Sequence, residues 1–391
     1  MTNRQLFFQH IAQTSTAPMA LEIARAEGLY LYDTTGKAYF DLISGIGVSV
    51  LGHRHEAVQH AVQQQLDRYW HTLVYGEMIL QPQVALATLL AEKTNHQLDA
   101  VFFTNSGSEA TEGAMKLAKR YTGRAKIFAC PHAYHGSTQG AASLMSPTFF
   151  TDAYRPLLPN IHHIRYNNLA DLDAIDESTA CVIVETVQAE SGLHSPNAPW
   201  IQALRARCTQ VGALLILDEI QAAYGRTGKL FAYEHYGIVP DVLLLAKGFG
   251  GGMPIGAFLA SKKVMDVLSY APPLGNITTF GGHPVCAAAA LATLQTILAS
   301  NLIAQVPVKE KLFLELMVHP EIKEVRSAGL WLAVELHGGF PKVLDVIKKC
   351  LERGIITDWF LFNDCSLRIA PPLTIEEADI RWVCGEILAC M

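Results

Sequence analysis

Charge is scarce in this 391-residue chain. Its 30 Lys and Arg and 36 Asp and Glu are only 17% of the residues; they leave a net charge of −6 and form no basic run. Without clustered cations there is no electrostatic footprint for nucleic acid or an anionic membrane. Long apolar runs are also missing: Cys286 to Leu294 and Val242 to Ala246 fall well short of the roughly 18 residues that span a bilayer. Met1 to His10 holds Arg4 as its one Lys or Arg and lacks the charged-then-apolar order of a secretory signal, so a soluble, cytoplasmic protein is expected. The eight cysteines include no C-x-x-C pair, and several sit in apolar stretches where a thiol acts as a small hydrophobe, so they are read as reduced and structural. Two nucleotide motifs are absent. Neither Gly45-Ile46-Gly47 nor Gly248-Phe249-Gly250 completes G-x-G-x-x-G, and no G-x-x-x-x-G-K-[ST] occurs.

Apolar residues, by contrast, make up 50% of the chain, and the mean hydropathy is +0.20. That balance predicts much buried surface, including a subunit interface. Length predicts roughly two or three domains at about 150 residues each. Apolar, β-rich runs at 101–103, 126–129, 163–166, 181–184, 214–217, 242–245 and 256–260 alternate with helical patterns, as in a mostly parallel buried sheet. After the first run, Ala110, Ala114, Leu117, Ala118 and Tyr121 share one helical face made mostly of small side chains. From about Thr279 the pattern changes to a long Ala-rich helix (284–299), then short strands (324–327, 330–336, 366–369) alternating with helices such as 342–353, as in a smaller α+β domain.

Ligands of open parallel sheets bind at the carboxyl ends of the strands, so polar residues that follow strand patterns are the first candidates. Thr104 to Glu109, containing Ser106, Gly107 and Ser108, joins a strand to a helix start and can offer amides to an anion; taken alone it reads more readily as an ordinary Ser-capped helix. Leu214 to Glu219 is a buried strand ending in two carboxylates, only one of which can face the ligand side. Lys247 closes the apolar run 242–246 and precedes a glycine-rich turn; poor solvation there lowers an amine's pKa and makes it nucleophilic. A nucleophilic amine, a carboxylate and an anion cradle on the strand ends of one sheet are what pyridoxal 5′-phosphate (PLP) requires. His132 and His135 form H-x-x-H and His53 and His55 form H-x-H, but neither pair has clustered acidic or thiol partners, which disfavours a metal site.

Five stretches carry a family resemblance: FTNSGSEA (103–110), LDEIQ (217–221) with GRTG (225–228), AKG (246–248), TFGGHP (279–284) and RIAPPL (368–373). In order and spacing the chain resembles the class III, fold-type I, PLP-dependent aminotransferases, and within them the acetylornithine, ornithine and 4-aminobutyrate enzymes. The resemblance implies an α/β fold: a large PLP-binding domain with a mostly parallel seven-stranded sheet (46–280), a smaller α+β C-terminal domain (281–391), and an N-terminal segment (1–45) packed on the small domain. It makes Lys247 the Schiff-base lysine and Asp218 the partner of the pyridine nitrogen. It puts Gln221 near the ring's 3-oxygen and Tyr134 on the ring, and adds Ser106, His135 and Glu185 to the cofactor site. Gly107 and Ser108 would hold the phosphate, and Thr279 would reach the phosphate of a neighbouring subunit, which implies a homodimer. Arg368 resembles the arginine that grips a substrate carboxylate, Glu190 the switch residue that pairs with it, and Ile46, Ser137 and Thr278 fall on the substrate side. The implied reaction moves an amino group from an ω-amine, of the N-acetylornithine type, to 2-oxoglutarate. Alternatives are a 4-aminobutyrate, ornithine or lysine ω-aminotransferase, a PLP mutase or racemase of the same fold, and a PLP-binding regulatory protein.

The chain departs from the family pattern in places. Ser137 stands where acetylornithine and ornithine enzymes usually carry an arginine for a second carboxylate, and losing such a guanidinium should cost about 1.5–3 kcal/mol of charged hydrogen bonding. Ile46 replaces a tyrosine typical of ornithine enzymes. Thr186 and Ala189 stand where Pro and Gly are common, which could narrow the loop carrying Glu190.

Overall fold

In the computed structural model, which describes residues 1–146 and 148–391, seven strands form one sheet in the order 100–104, 256–260, 242–245, 214–218, 179–185, 126–129, 161–163. Five of them (242–245, 214–218, 179–185, 126–129 and 161–163) run parallel, while Gly256–Ala260 runs antiparallel to both its neighbours. The central strands are buried on both faces, which is why Val182 to Val184, Leu215 to Leu217 and Val242 to Leu245 read as unbroken apolar runs rather than as alternation.

The expected strand at 163–166 lies instead at Ile161–His163. The Arg165 amide donates to Asp171 Oδ2 at 2.8 Å, which takes the chain off the sheet. Leu330 is also outside its strand, which begins at Leu332, because its amide donates to the Arg226 carbonyl across a turn at Gly329.

The helix Gly107–Thr122 follows the first strand and buries Ala110, Ala114, Leu117 and Ala118 completely. Its small face is needed: a Cβ on Gly113 would collide with the Phe258 ring. The helix Pro284–Ala299 packs against Glu56–Leu66 and Gln81–Lys93 and opens the C-terminal part of the chain. There the strands 322–327, 332–336, 363–369 and 358–360 form an antiparallel sheet. The N-terminal strands 23–27, 30–33 and 38–41 form a meander whose last strand pairs in parallel with Ile355–Ile356, tying the first residues to the C-terminal part. Among the described residues no single helix is long and apolar enough to cross a membrane.

Candidate active site

Register places the polar strand ends together. Glu185 is paired with Asp218, and Asp218 with Leu244, so two carboxylates and the residues leading to Lys247 meet at one edge. They line a cavity of about 440 Å³, into which the start of the helix Gly107–Thr122 also opens.

Alternation separates the two carboxylates that end their strand. Asp218 faces the cavity, where Oδ2 lies 2.7 Å from His135 Nδ1 and Oδ1 accepts from the Ile220 amide at 3.0 Å. Glu219 turns away and is enclosed by the amides of Ala232 (2.6 Å) and Tyr233 (2.7 Å) and the Thr186 hydroxyl (2.9 Å). Burial lowers the pKa of His135, but the Asp218 hydrogen bond and charge, with Glu185, outweigh it and raise it overall. Glu185 takes the amides of Tyr134 (3.0 Å) and Ala189 (2.9 Å), and burial pushes it up to about 7.

Lys247 carries φ +50°, a strained backbone for a residue with a Cβ, and its Nζ donates to Gln221 Oε1 at 3.0 Å. Burial lowers its pKa despite the opposing charge of Glu190, the direction that the apolar strand before it predicts.

Ser106 caps the helix start, its hydroxyl accepting from the Glu109 amide at 3.2 Å. The amides of Gly107 and Ser108 precede the first intrahelical bond, from Ala110 N to Ser106 O, and the positive end of the helix dipole lies there. Space at this loop is tight. A Cβ on Gly107 would stand 2.8 Å from Ile220 Cδ1, and one on Gly136 would meet Ser108.

A second cavity of about 350 Å³ shares Tyr134, Glu190 and Lys247 with the first, and Ile46, Trp359, Leu361, Asp358 and Arg368 complete its wall. Here Arg368 and Glu190 form a buried fork, Nη1 to Oε1 and Nη2 to Oε2, both 2.9 Å. Glu190 Oε2 also accepts from the Leu361 amide at 2.8 Å. Burial works against the Glu190 charge, yet Arg368 prevails and holds it below the usual carboxylate range. Ile46 reaches this wall from a left-handed turn, φ +65°, anchored by Ser44 Oγ donating to the Ala370 carbonyl at 2.7 Å.

Three of the residues expected at the site stand apart. Ser137 is exposed, its hydroxyl 2.9 Å from the Tyr134 hydroxyl. Thr278 accepts from Asn105 Nδ2 at 3.1 Å, and Thr279 lies on the surface; neither lines either of these two cavities. His53 is bound to Asp41 at 2.8 Å. Sequence reasoning missed Asp358, Trp359 and Leu361, since Asp358 to Phe360 is a three-residue strand too short for its alternation to be read.

The pocket fits PLP. Among the described residues buried Gln221 Nε2 and His135 Nε2 have no partner, and the free helix start, the carboxylate Asp218 and the depressed lysine answer its phosphate, ring nitrogen and carbonyl.

The sequence matches the family model for class-III aminotransferases over residues 11–391. It is 39% identical over 383 residues to the acetylornithine aminotransferase of Methanopyrus kandleri, covering 97% of this chain and 95% of that one. It is 41% identical over 369 residues to that of Mycolicibacterium smegmatis, covering 92% and 91%. Among solved structures, ornithine aminotransferase from Toxoplasma gondii aligns with a TM-score of 0.90 at 29% identity, over 99% of this chain and 93% of that one. Adenosylmethionine-8-amino-7-oxononanoate aminotransferase from Methanocaldococcus jannaschii aligns with a TM-score of 0.92 at 27% identity, over 99% and 98%.

Proposed function

Because the chain belongs to the class III aminotransferases, PLP-dependent enzymes, we propose that it moves an amino group from an ω-amine donor to 2-oxoglutarate, with Lys247 as its catalytic amine. The observation that carries this reading is the Arg368–Glu190 fork closed over the cavity that also holds Lys247. Closed, it presents no free guanidinium to an amine. Open, its planar fork receives a carboxylate bidentately, so one pocket serves donor and oxo acid in turn.

When bound, the cofactor supplies a carbonyl for the amine and a ring that accepts electrons. Lys247 would hold the cofactor's carbonyl and would move the proton released at the donor carbon. Asp218, held by His135 and the Ile220 amide, would keep the ring nitrogen protonated, and Tyr134 would cover the ring. Gln221, Ser106, Gly107, Ser108 and Glu185 complete the cofactor contacts.

The active unit in this reading is a homodimer in which Thr279 reaches the other subunit's phosphate. Trp70, Ile79, Leu274, Ile277 and Phe280 are exposed apolar side chains around Thr279 and the Val74–Ala87 groove, a face that needs covering. The domain division is 1–45, 46–280 and 281–391. Eight unpaired thiols fit a reducing compartment such as the cytoplasm.

The relatives make N-acetylornithine the first donor to test. A second reading, a different ω-amine, is favoured by Ser137: its hydroxyl is bound by Tyr134, and its side chain carries no cation for a second carboxylate. Absorption spectra of the PLP-loaded protein, taken before and after adding N-acetylornithine, ornithine, 4-aminobutyrate, lysine or glutamate, test both. A donor should abolish the lysine-bound cofactor band, and 2-oxoglutarate should restore it with formation of glutamate. A mutase, racemase or regulatory protein would form no glutamate, and a Lys247→Ala variant would lack the starting band.

A further inference from the structure

The segment that carries Thr278 and Thr279 lies at the surface, yet three side chains from elsewhere in the chain hold it. His71 Nε2 donates to the Thr279 carbonyl at 2.8 Å, Gln83 Nε2 to the Gly282 carbonyl at 2.6 Å, and Asn105 Nδ2 to the Thr278 hydroxyl at 3.1 Å. The Thr278 hydroxyl also accepts from the Gly281 amide at 3.2 Å, which closes the turn. Thr279 is treated differently from its neighbours. Its carbonyl is fixed, while among the described residues nothing bonds its hydroxyl, and it lines neither of the two cavities around Lys247.

Of the three side chains, His71 acts on Thr279 directly, and packing fixes where its ring stands. The ring lies against Phe280 and His283, with centroids 4.9 and 5.6 Å away. His283 is itself anchored, its Nδ1 accepting from the Val285 amide at 3.3 Å at the start of the helix Pro284–Ala299. A carbonyl can only accept, so His71 Nε2 carries the proton; the neutral ring in that tautomer and the imidazolium both satisfy this, and the contact does not depend on the charge of His71. With Thr278 pinned by Asn105 and the next carbonyl pinned by His71, the direction of the Thr279 side chain is set before anything meets it. A group already held in place binds without the entropy cost of ordering it.

Resting on the homodimer reading, in which Thr279 reaches the phosphate held by the other subunit, we propose that His71 is a positioning residue for that cofactor. It holds the Thr279 backbone so that the free hydroxyl is presented to the phosphate already oriented. Its effect is therefore felt in the other subunit's pocket and not in its own, whose cavities it does not line.

Hybrid dimers of two differently tagged chains test this, with the absorption band of lysine-bound PLP as the readout. A Lys247→Ala chain forms no such band, so each hybrid reports PLP affinity at a single pocket. His71→Phe keeps an aromatic ring against Phe280 and His283 and removes the donor. Placed on the Lys247→Ala chain, it should weaken PLP binding at the unaltered chain's pocket by about 3- to 10-fold, the worth of one neutral hydrogen bond. Placed on the chain that keeps Lys247, it should leave that pocket within about twofold of a hybrid carrying Lys247→Ala alone. His71→Gln, whose amide can donate to the same carbonyl, should recover most of the first loss. A merely structural histidine would weaken both hybrids alike. That result, a loss confined to the variant chain's own pocket, or no loss in either hybrid overturns the proposal. Should His71→Phe chains fail to assemble, His71→Gln compared with His71→Ala in the same pair of hybrids decides. Thr279→Val keeps the homodimer reading separate: if it leaves the other subunit's PLP affinity unchanged, Thr279 is not in that site and the reading fails, whereas a loss with Thr279→Val and none with His71→Phe removes His71 alone.

Discussion

Asp218 Oδ2 lies 2.7 Å from Nδ1 of His135 inside a site where both side chains are almost wholly buried. The imidazole orients the carboxylate toward the cavity, and the carboxylate in turn raises the imidazole's pKa. Because His135 has a raised pKa when folded, the pair's contribution to stability is complete below the ordinary imidazole value of 6.5 and is lost as pH rises through the higher folded value. His135→Phe should flatten this part of the stability curve of the cofactor-free protein, followed by urea unfolding from pH 6 upward. A variant that keeps the wild-type slope counts against the pair.

The Arg368–Glu190 fork gives the opposite sign. Glu190 is depressed in the folded state, so its stabilisation is present above the ordinary value of 4.5 and fades as pH falls through the lower folded one. Glu190→Gln should cost about 3–5 kcal/mol, as for other broken buried pairs, and show as a lower Tm at neutral pH. With the fork left open, the half-reaction with glutamate should suffer less than that with the amine donor. Stopped-flow spectra of each half-reaction separate the two.

Thr186 bonds to Glu219, whose burial raises its pKa to about 7. A carboxyl raised by burial is less stabilising as pH climbs from its ordinary value toward the folded one, because only the unfolded chain ionises there. Thr186→Val removes a donor that favours the charged form. The variant should match the wild type near pH 5 and fall behind by about 1–3 kcal/mol at pH 8, measured by thermal melts.

Gly256 runs beside the loop 104–108 proposed to hold the phosphate, and a Cβ there would strike the Ser106 carbonyl and lie 2.7 Å from Thr104 Oγ1. Gly256→Ala should displace the helix start and weaken PLP affinity by at least about tenfold, or about 1.4 kcal/mol. Fluorescence titration of the cofactor reads this directly.

Ile79 is 93% exposed on the apolar face near Thr279. Ile79→Asp should split the proposed dimer in sedimentation velocity runs and lower cofactor affinity with it. A dimer that survives, with unchanged PLP binding, would remove Thr279 from the partner's site.

The central sheet was legible because its strands are buried on both faces and written as apolar runs. Lys247 stood out because a cation at the end of such a run is poorly solvated. The short strands were not legible: Asp358 to Phe360 has too few residues to show a period, and the strand at 161–163 ends where Asp171 captures an amide six residues away in the chain.

By itself, then, the sequence determined the family, the parallel α/β sheet and the residue types of the site, since these follow from local hydrophobic patterning and motifs contiguous in the chain. The tertiary structure turned Asp218 rather than Glu219 toward the cavity and closed Arg368 on Glu190, both as the family resemblance implied, and only it decided that Asp358 also stands against Arg368, Oδ1 to Nε at 3.0 Å. Those relations join residues up to 178 positions apart, and pairing at that distance is set by packing and strand register rather than by any local pattern.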